Sequence, residues 1–182
     1  MPSRSAIRYT YQDYLGIPED TSRRYEIVGG ELFMTPTPRF RHQEVVTSLA
    51  SILRALAREG ELGKVVVGPI TVRLHDELVL EPDIVFVRAD RLHIVDPEGI
   101  IDGPPDLVVE VLSPSNRSYD RNIKRKHYLD NGVPELWIVD ADDRTVEVWR
   151  AGADQGVIQR EALPWEVGGQ RLEIRLEEVF SP

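Results

Sequence analysis

The longest helical pattern in the chain lies between Phe40 and Leu56. Val45, Val46, Leu49, Ile52, Leu53 and Leu56 recur there on one face, and Gly60 stands just past the end. A shorter helix is predicted at Thr10-Tyr11-Gln12-Asp13-Tyr14-Leu15, with Thr10 as its cap and Gly16 and Pro18 ending it. Elsewhere the pattern is one of short apolar runs between turn residues, which predicts strands. Arg24–Val28 and Glu31–Met34 flank Gly29-Gly30, a two-residue hairpin signal, because the primed turns need positive φ. Lys64–Val67, Ile70–Leu74, Leu78–Leu80 and Ile84–Val87 follow as strands, and residues 88 to 105 carry enough Pro and Gly to predict a loop with one helical turn. Leu107–Leu112 is the most strand-like run. Ser113-Pro114-Ser115-Asn116 then offers helix caps, and a helix is predicted to about Asn131, with Gly132 and Pro134 beyond it. Leu136–Val139 and Thr145–Trp149 pair across Asp140–Arg144, and an amphipathic turn closes the chain around Leu176–Phe180. These elements predict one α+β domain over residues 1–182, with a central mixed sheet and the long helix packed on it.

Two carboxylates break this pattern. Asp83 opens the strand after Pro82, and Glu110 lies inside Leu107-Val108-Val109-Glu110-Val111-Leu112, on the same face as Val108 and Leu112. Runs of this kind are usually buried on both faces. A carboxylate there is costly unless it is paired, hydrogen-bonded or bound to a metal. On neighbouring strands the two would repel unless a cation sat between them. An all-oxygen site suits Mg²⁺ or Mn²⁺. Lys124 lies four residues after Asp120 and four before Tyr128, so the three share one helical face. Glu26 of the first hairpin is a candidate for a further acidic group, although a cross-strand pair with an arginine is equally compatible. Asp106, near the strand start, is assigned a structural role.

Composition narrows the classes. The 182 residues suit one domain, and 41% hydrophobic with 29% charged is an ordinary globular balance. There is no cysteine, which excludes disulfides, thiolate zinc sites and a cysteine nucleophile. No stretch approaches the roughly 20 apolar residues of a membrane span, and Met1–Arg8 lacks a signal-peptide core, so a cytoplasmic location is expected. The net charge of −9 argues against strong non-specific nucleic-acid binding, yet Arg117, Arg121, Lys124, Arg125 and Lys126 face only Asp120 in one short stretch. Such a run alone reads first as a solvated helix face and only second as a phosphate-binding one. The three tryptophans are assigned to the core or an interface.

The chain resembles the Uma-type restriction endonucleases, a bacterial group of the PD-(D/E)xK nuclease superfamily. The resemblance rests on Arg24-Tyr25-Glu26-Ile27-Val28-Gly29-Gly30-Glu31-Leu32, Arg41-His42-Gln43, Pro82-Asp83-Ile84, Pro105 to Ser115, Lys124 with Tyr128, and Gly132 to Asp140. It implies a restriction-endonuclease-like core and a Mg²⁺- or Mn²⁺-dependent endonuclease acting on DNA. Asp83 and Glu110 would be the acidic motif residues and metal ligands, with Glu26 assisting. The superfamily lysine is usually two residues after the Glu; Leu112 stands there, which makes Lys124 the counterpart and Lys126 the fallback. Arg39, Arg41, Arg117, Arg121 and Lys126 would contact phosphates. His42 either faces DNA or supports a metal ligand from behind, with a capping or surface histidine the favoured reading. A homodimer is the expected assembly. Two other functions remain open: a nuclease fold kept as a dimeric interaction module, and a metal-dependent hydrolase of a small phosphorylated substrate.

Overall fold

A computed structural model describes residues 7–18, 23–96, 99–113 and 117–180. The element order is α1 (Tyr11–Leu15), β1 (Arg23–Val28), β2 (Glu31–Pro36), α2 (Phe40–Glu59), β3 (Gly63–Val67), β4 (Val72–His75), β5 (Leu78–Leu80) and β6 (Ile84–Arg88). A 3-10 turn (Ala89–Ile94) and β7 (Ile101–Asp102) precede β8 (Leu107–Val111). A helical stretch follows, made of α3 (Arg117–Tyr119), a π-helical turn (Asp120–Lys124) and α4 (Arg125–Asp130). Then come β9 (Glu135–Asp140), β10 (Thr145–Arg150), β11 (Val157–Gln159), β12 (Ala162–Val167), β13 (Gln170–Arg175) and α5 (Leu176–Val179).

The strands form two mixed sheets and a separate hairpin, where the sequence pattern predicted one mixed sheet. The six-stranded sheet has the order β11-β10-β9-β8-β6-β3, the five-stranded sheet β2-β1-β5-β4-β7, and β12 pairs with β13 alone. The division follows from the sequence at Glu81-Pro82-Asp83. Proline donates no ladder hydrogen bond, so β5 ends in one sheet and β6 starts in the other. The Gly29-Gly30 turn has φ of 60° and 81°, as a primed hairpin turn requires, and sets Val28 opposite Glu31. The caps expected at Ser115 and Asn116 lie outside the described residues.

The six-stranded sheet is covered on both faces. On one, Val45, Leu49, Leu53 and Ala57 of α2 pack with Phe86, Val109, Trp137 and Trp165. On the other, Val85, Val108, Leu136 and Ile138 meet Leu80, Tyr128 and Val133. This is why β8 is apolar at nearly every position: its odd residues feed one cluster and its even ones the other. Truncating Leu53, which is fully buried under α2, is expected to cost about 2–5 kcal/mol of unfolding free energy. Urea denaturation of Leu53→Ala measures this, and a loss below about 1 kcal/mol would contradict the packing of α2 on this sheet.

Candidate active site

Strand register brings the acidic pair together. In the β6–β8 ladder Ile84 faces Val109 and Val85 faces Val108, so one step further Asp83 stands opposite Glu110. The backbone N–H of Val111 donates to Asp83 Oδ2 at 2.9 Å. His42, in the first turn of α2, shares that oxygen through Nε2 at 3.1 Å, and Arg24 Nη1 donates to Oδ1 at 3.2 Å. Burial alone would raise the Asp83 carboxyl, but His42, the Val111 N–H and Arg24 outweigh it and hold it below its ordinary value.

Glu110 meets the helical stretch. Tyr128 donates its hydroxyl to Glu110 Oε1 at 2.7 Å, and Lys124 Nζ lies 2.7 Å from the same oxygen. Lys124 Nζ is also 2.8 Å from Glu26 Oε1 and 3.9 Å from Asp120 Oδ1. Lys124 is only 4% exposed. The π-helical turn turns Asp120 and Lys124 inward together, and turns of this kind recur at functional sites. Glu26 Oε1 accepts a further hydrogen bond from the Glu81 N–H at 2.9 Å, and the Glu81 carboxylate accepts the Tyr14 hydroxyl at 2.6 Å. Buried Glu26 Oε2 has no hydrogen-bond partner among the described residues.

These groups line one cleft of about 270 Å³, with Arg39, Val111 and the connection from β2 to α2 on its walls. Five carboxylates (Glu26, Glu81, Asp83, Glu110, Asp120) face three permanent cations (Arg24, Arg39, Lys124). The shortfall of positive charge appears as a retained proton. Burial, repulsion from Asp120, Asp83 and Glu26, and only partial relief from Lys124 push Glu110 up to about 8. Asp120 rises to about 6, again by burial first. Burial opposes the Lys124 charge, but Glu110 and Glu26 outweigh it and hold the amine well above its ordinary value, so it stays an ammonium.

The donor chemistry fits a hard divalent cation: every candidate ligand is a carboxylate oxygen, the cleft is short of positive charge, and Glu26 Oε2 lacks a donor. Asp83, Glu110 and Glu26 are the residues that could hold it. As they stand they close on Lys124, Arg24 and His42, and among the described residues no three acidic or histidine side chains form a ready cage.

Of the cations expected at phosphates, most face acids instead. Arg41 pairs with Asp142 at 3.1 Å and donates to the Ala141 carbonyl at 2.7 Å. Arg117 holds Asp140 and Asp142, each at 2.8 Å. Arg121 reaches Asp140 at 3.1 Å and Glu147 at 3.5 Å, and Lys126 pairs with Asp130. Arg39 stands exposed at the cleft mouth. His42 is buried against Asp83 rather than surface-facing, because its place three residues into α2 turns it toward the sheet. Asp106 has the structural role expected, bonding the Arg88 N–H and Arg91. Sequence reasoning gave no role to Arg24, Glu81 or Tyr128. Arg24 shares a strand face with Glu26, and Tyr128 follows Lys124 by one helical turn, so two of the three carried a periodicity signal.

The fold and the cleft together define a restriction-endonuclease-like protein. The chain belongs to the Uma2 family, described as putative restriction endonuclease, whose model matches residues 11–179. Its fold is also that of the crystal structure of a putative nuclease belonging to DUF820 from Anabaena variabilis ATCC 29413. The TM-score is 0.79, with 20% identity over 94% of this chain and 97% of that one. No curated protein matches the chain.

The retained proton has a measurable consequence. A carboxyl whose folded pKa exceeds its unfolded value favours the folded state at low pH, and that contribution is lost as pH rises through the folded pKa. For Glu110 the window runs from its ordinary 4.5 to about 8. Between pH 5 and pH 8, without divalent cations, the melting temperature of the wild type is expected to fall by roughly 5 °C or more relative to Glu110→Gln. Parallel curves for the two proteins would contradict a buried proton on Glu110.

Proposed function

We propose that this protein is a Mg²⁺- or Mn²⁺-dependent endonuclease that hydrolyses phosphodiester bonds in DNA. The observation that carries the reading is the convergence of Asp83, Glu110 and Glu26 on one cleft with Lys124 Nζ 2.7 Å from Glu110 and 2.8 Å from Glu26. Family membership supports it. A divalent ion held by Asp83, Glu110 and Glu26 would polarise the phosphoryl oxygen and lower the pKa of water.

The chain's own residues would do the rest. Lys124 keeps its proton, so it serves as a fixed cation and hydrogen-bond donor. It orients the attacking water and stabilises charge that builds on the phosphate. It cannot act as a base in this state. Tyr128 fixes the Glu110 rotamer, while His42 and the Val111 N–H fix Asp83. Preset groups of this kind cost no reorganisation when charge develops.

A second reading is a nuclease fold kept as a dimeric interaction module. It is favoured by one observation: Lys124 already neutralises the carboxylates that a metal would need. The proposed homodimer finds its best surface at β11, an outer strand of the six-stranded sheet with Val157 and Ile158 exposed. Two measurements separate the readings. Cleavage of DNA, single-stranded or plasmid, with Mg²⁺ or Mn²⁺ is expected to drop at least about a hundredfold in Asp83→Ala, Glu110→Ala and Lys124→Ala, and to stop on chelation. Equal activity in all four proteins would sink the assignment, and calorimetry showing no Mn²⁺ binding to the wild type would select the interaction module.

A further inference from the structure

The wall of the cleft that runs from β2 into α2 carries features the catalytic cluster does not use. Thr35, Pro38 and Arg39 line it. The Arg39 side chain has no ion pair or hydrogen bond among the described residues, whereas the other two cations of the cleft are held by acids, Arg24 on Asp83 and Lys124 on Glu26 and Glu110. Next to it, Phe40 is the first residue of α2 and is 80% exposed, the most exposed aromatic side chain among the described residues. The start of α2 has no side-chain cap and no acidic residue in its first turn, so its N–H groups are open to an anion. His42, nine-tenths buried and lining the same cleft, keeps Nδ1 without a partner among the described residues.

An exposed arginine on the cleft wall, followed in the chain by an exposed aromatic residue at the start of α2, matches a nucleotide with its base unpaired. The cation and helix start take the phosphate, and the ring takes the base face. A duplex is a poor fit for two reasons. Its affinity depends on many phosphate contacts, and Arg41, Arg117, Arg121 and Lys126 are each committed to acids of this chain. Its stacked bases also present no free face to Phe40. The reacting groups, moreover, lie below the surface: Asp83, Glu110 and Lys124 are all buried at the cleft floor. A single strand can bend a phosphate into such a cleft more readily than a stiff double helix can.

We propose that the substrate of this cleft is single-stranded DNA, with one phosphate on Arg39 and the start of α2 and an adjacent base stacked on Phe40. This rests on the nuclease reading above and names its substrate class. The test is binding of a labelled twelve-nucleotide strand, the same sequence as a duplex, and its RNA counterpart, each measured by fluorescence anisotropy in Ca²⁺. Single-stranded DNA is expected to bind at least about tenfold more tightly than the duplex. Phe40→Ala is expected to weaken single-strand binding about tenfold, the size of one base stack, and to leave duplex binding unmoved. Phe40→Trp is expected to restore it, with tryptophan fluorescence quenched as the strand is added. Because Phe40 is exposed, its variants should melt with the wild type, which a thermal scan verifies. Equal binding of strand and duplex, no binding to either, tighter binding of RNA, or a silent Phe40→Ala overturns the inference. Cleavage in Mn²⁺ is followed in parallel: strand binding through Phe40 with no cleavage of any nucleic acid refutes the nuclease reading, and with it the role of the strand as substrate, and leaves only the single-strand binding site at Arg39 and Phe40.

Discussion

A buried ammonium holds the architecture of this cleft. Lys124 comes from the helical stretch after β8, Glu110 from the six-stranded sheet and Glu26 from the five-stranded one. Its Nζ therefore ties two sheets and a helix at a single point. An ammonium this deep is tolerated only because its partners are close and are themselves hydrogen-bonded: Glu110 by Tyr128, Glu26 by the Glu81 N–H. The dependence runs both ways. Without Lys124, Glu26 would lose its buried cation and Glu110 a partner 2.7 Å away, so the cluster is stable as a set rather than as a sum of pairs.

Asp83 is held by different means, and the contrast matters chemically. Its oxygens are fixed by a backbone N–H, an imidazole and a guanidinium, and it stays ionised. Glu110, on the adjacent strand, keeps its proton. Two neighbouring carboxyls with acidities pushed apart are a mark of functional sites rather than of packing. The divergence has a simple origin. Asp83 lies where α2 and β1 can both reach it, whereas Glu110 shares one ammonium with two other acids.

Much of this is legible in the sequence. Continuous apolar runs located β8 and β9, Gly29-Gly30 fixed the first hairpin, and an i, i+4 count put Asp120, Lys124 and Tyr128 on one face. That count survives the π-helical turn because the turn widens the helix without rotating those residues apart enough to separate them. Other features could not be read because they depend on partners distant in sequence. Arg41 finds Asp142, 101 residues on, and Arg117 finds Asp140, 23 residues on. Two of the five cations of that basic stretch, Arg117 and Arg121, are thus neutralised by acids of β9, β10 and the turn between them. The inward turn of His42 and the split into two sheets were hidden for the same reason: each is decided by which strands become neighbours.

The charge balance of the cleft places a constraint on any polyanionic substrate. With more carboxylates than cations the floor repels phosphate, while the mouth, through Arg39 and the start of α2, attracts it. Entry of a phosphate to the floor therefore requires the local charge to change, either by protons held on Glu110 and Asp120 or by a bound cation. Protons serve this purpose in full only below about pH 6, where Asp120 keeps its own, in part up to about 8 through Glu110, and not above that. At higher pH a divalent ion is the remaining way to reverse the sign of the field. Metal dependence in such a cleft would then govern the admission of substrate as well as the activation of water, and both would fail together on chelation.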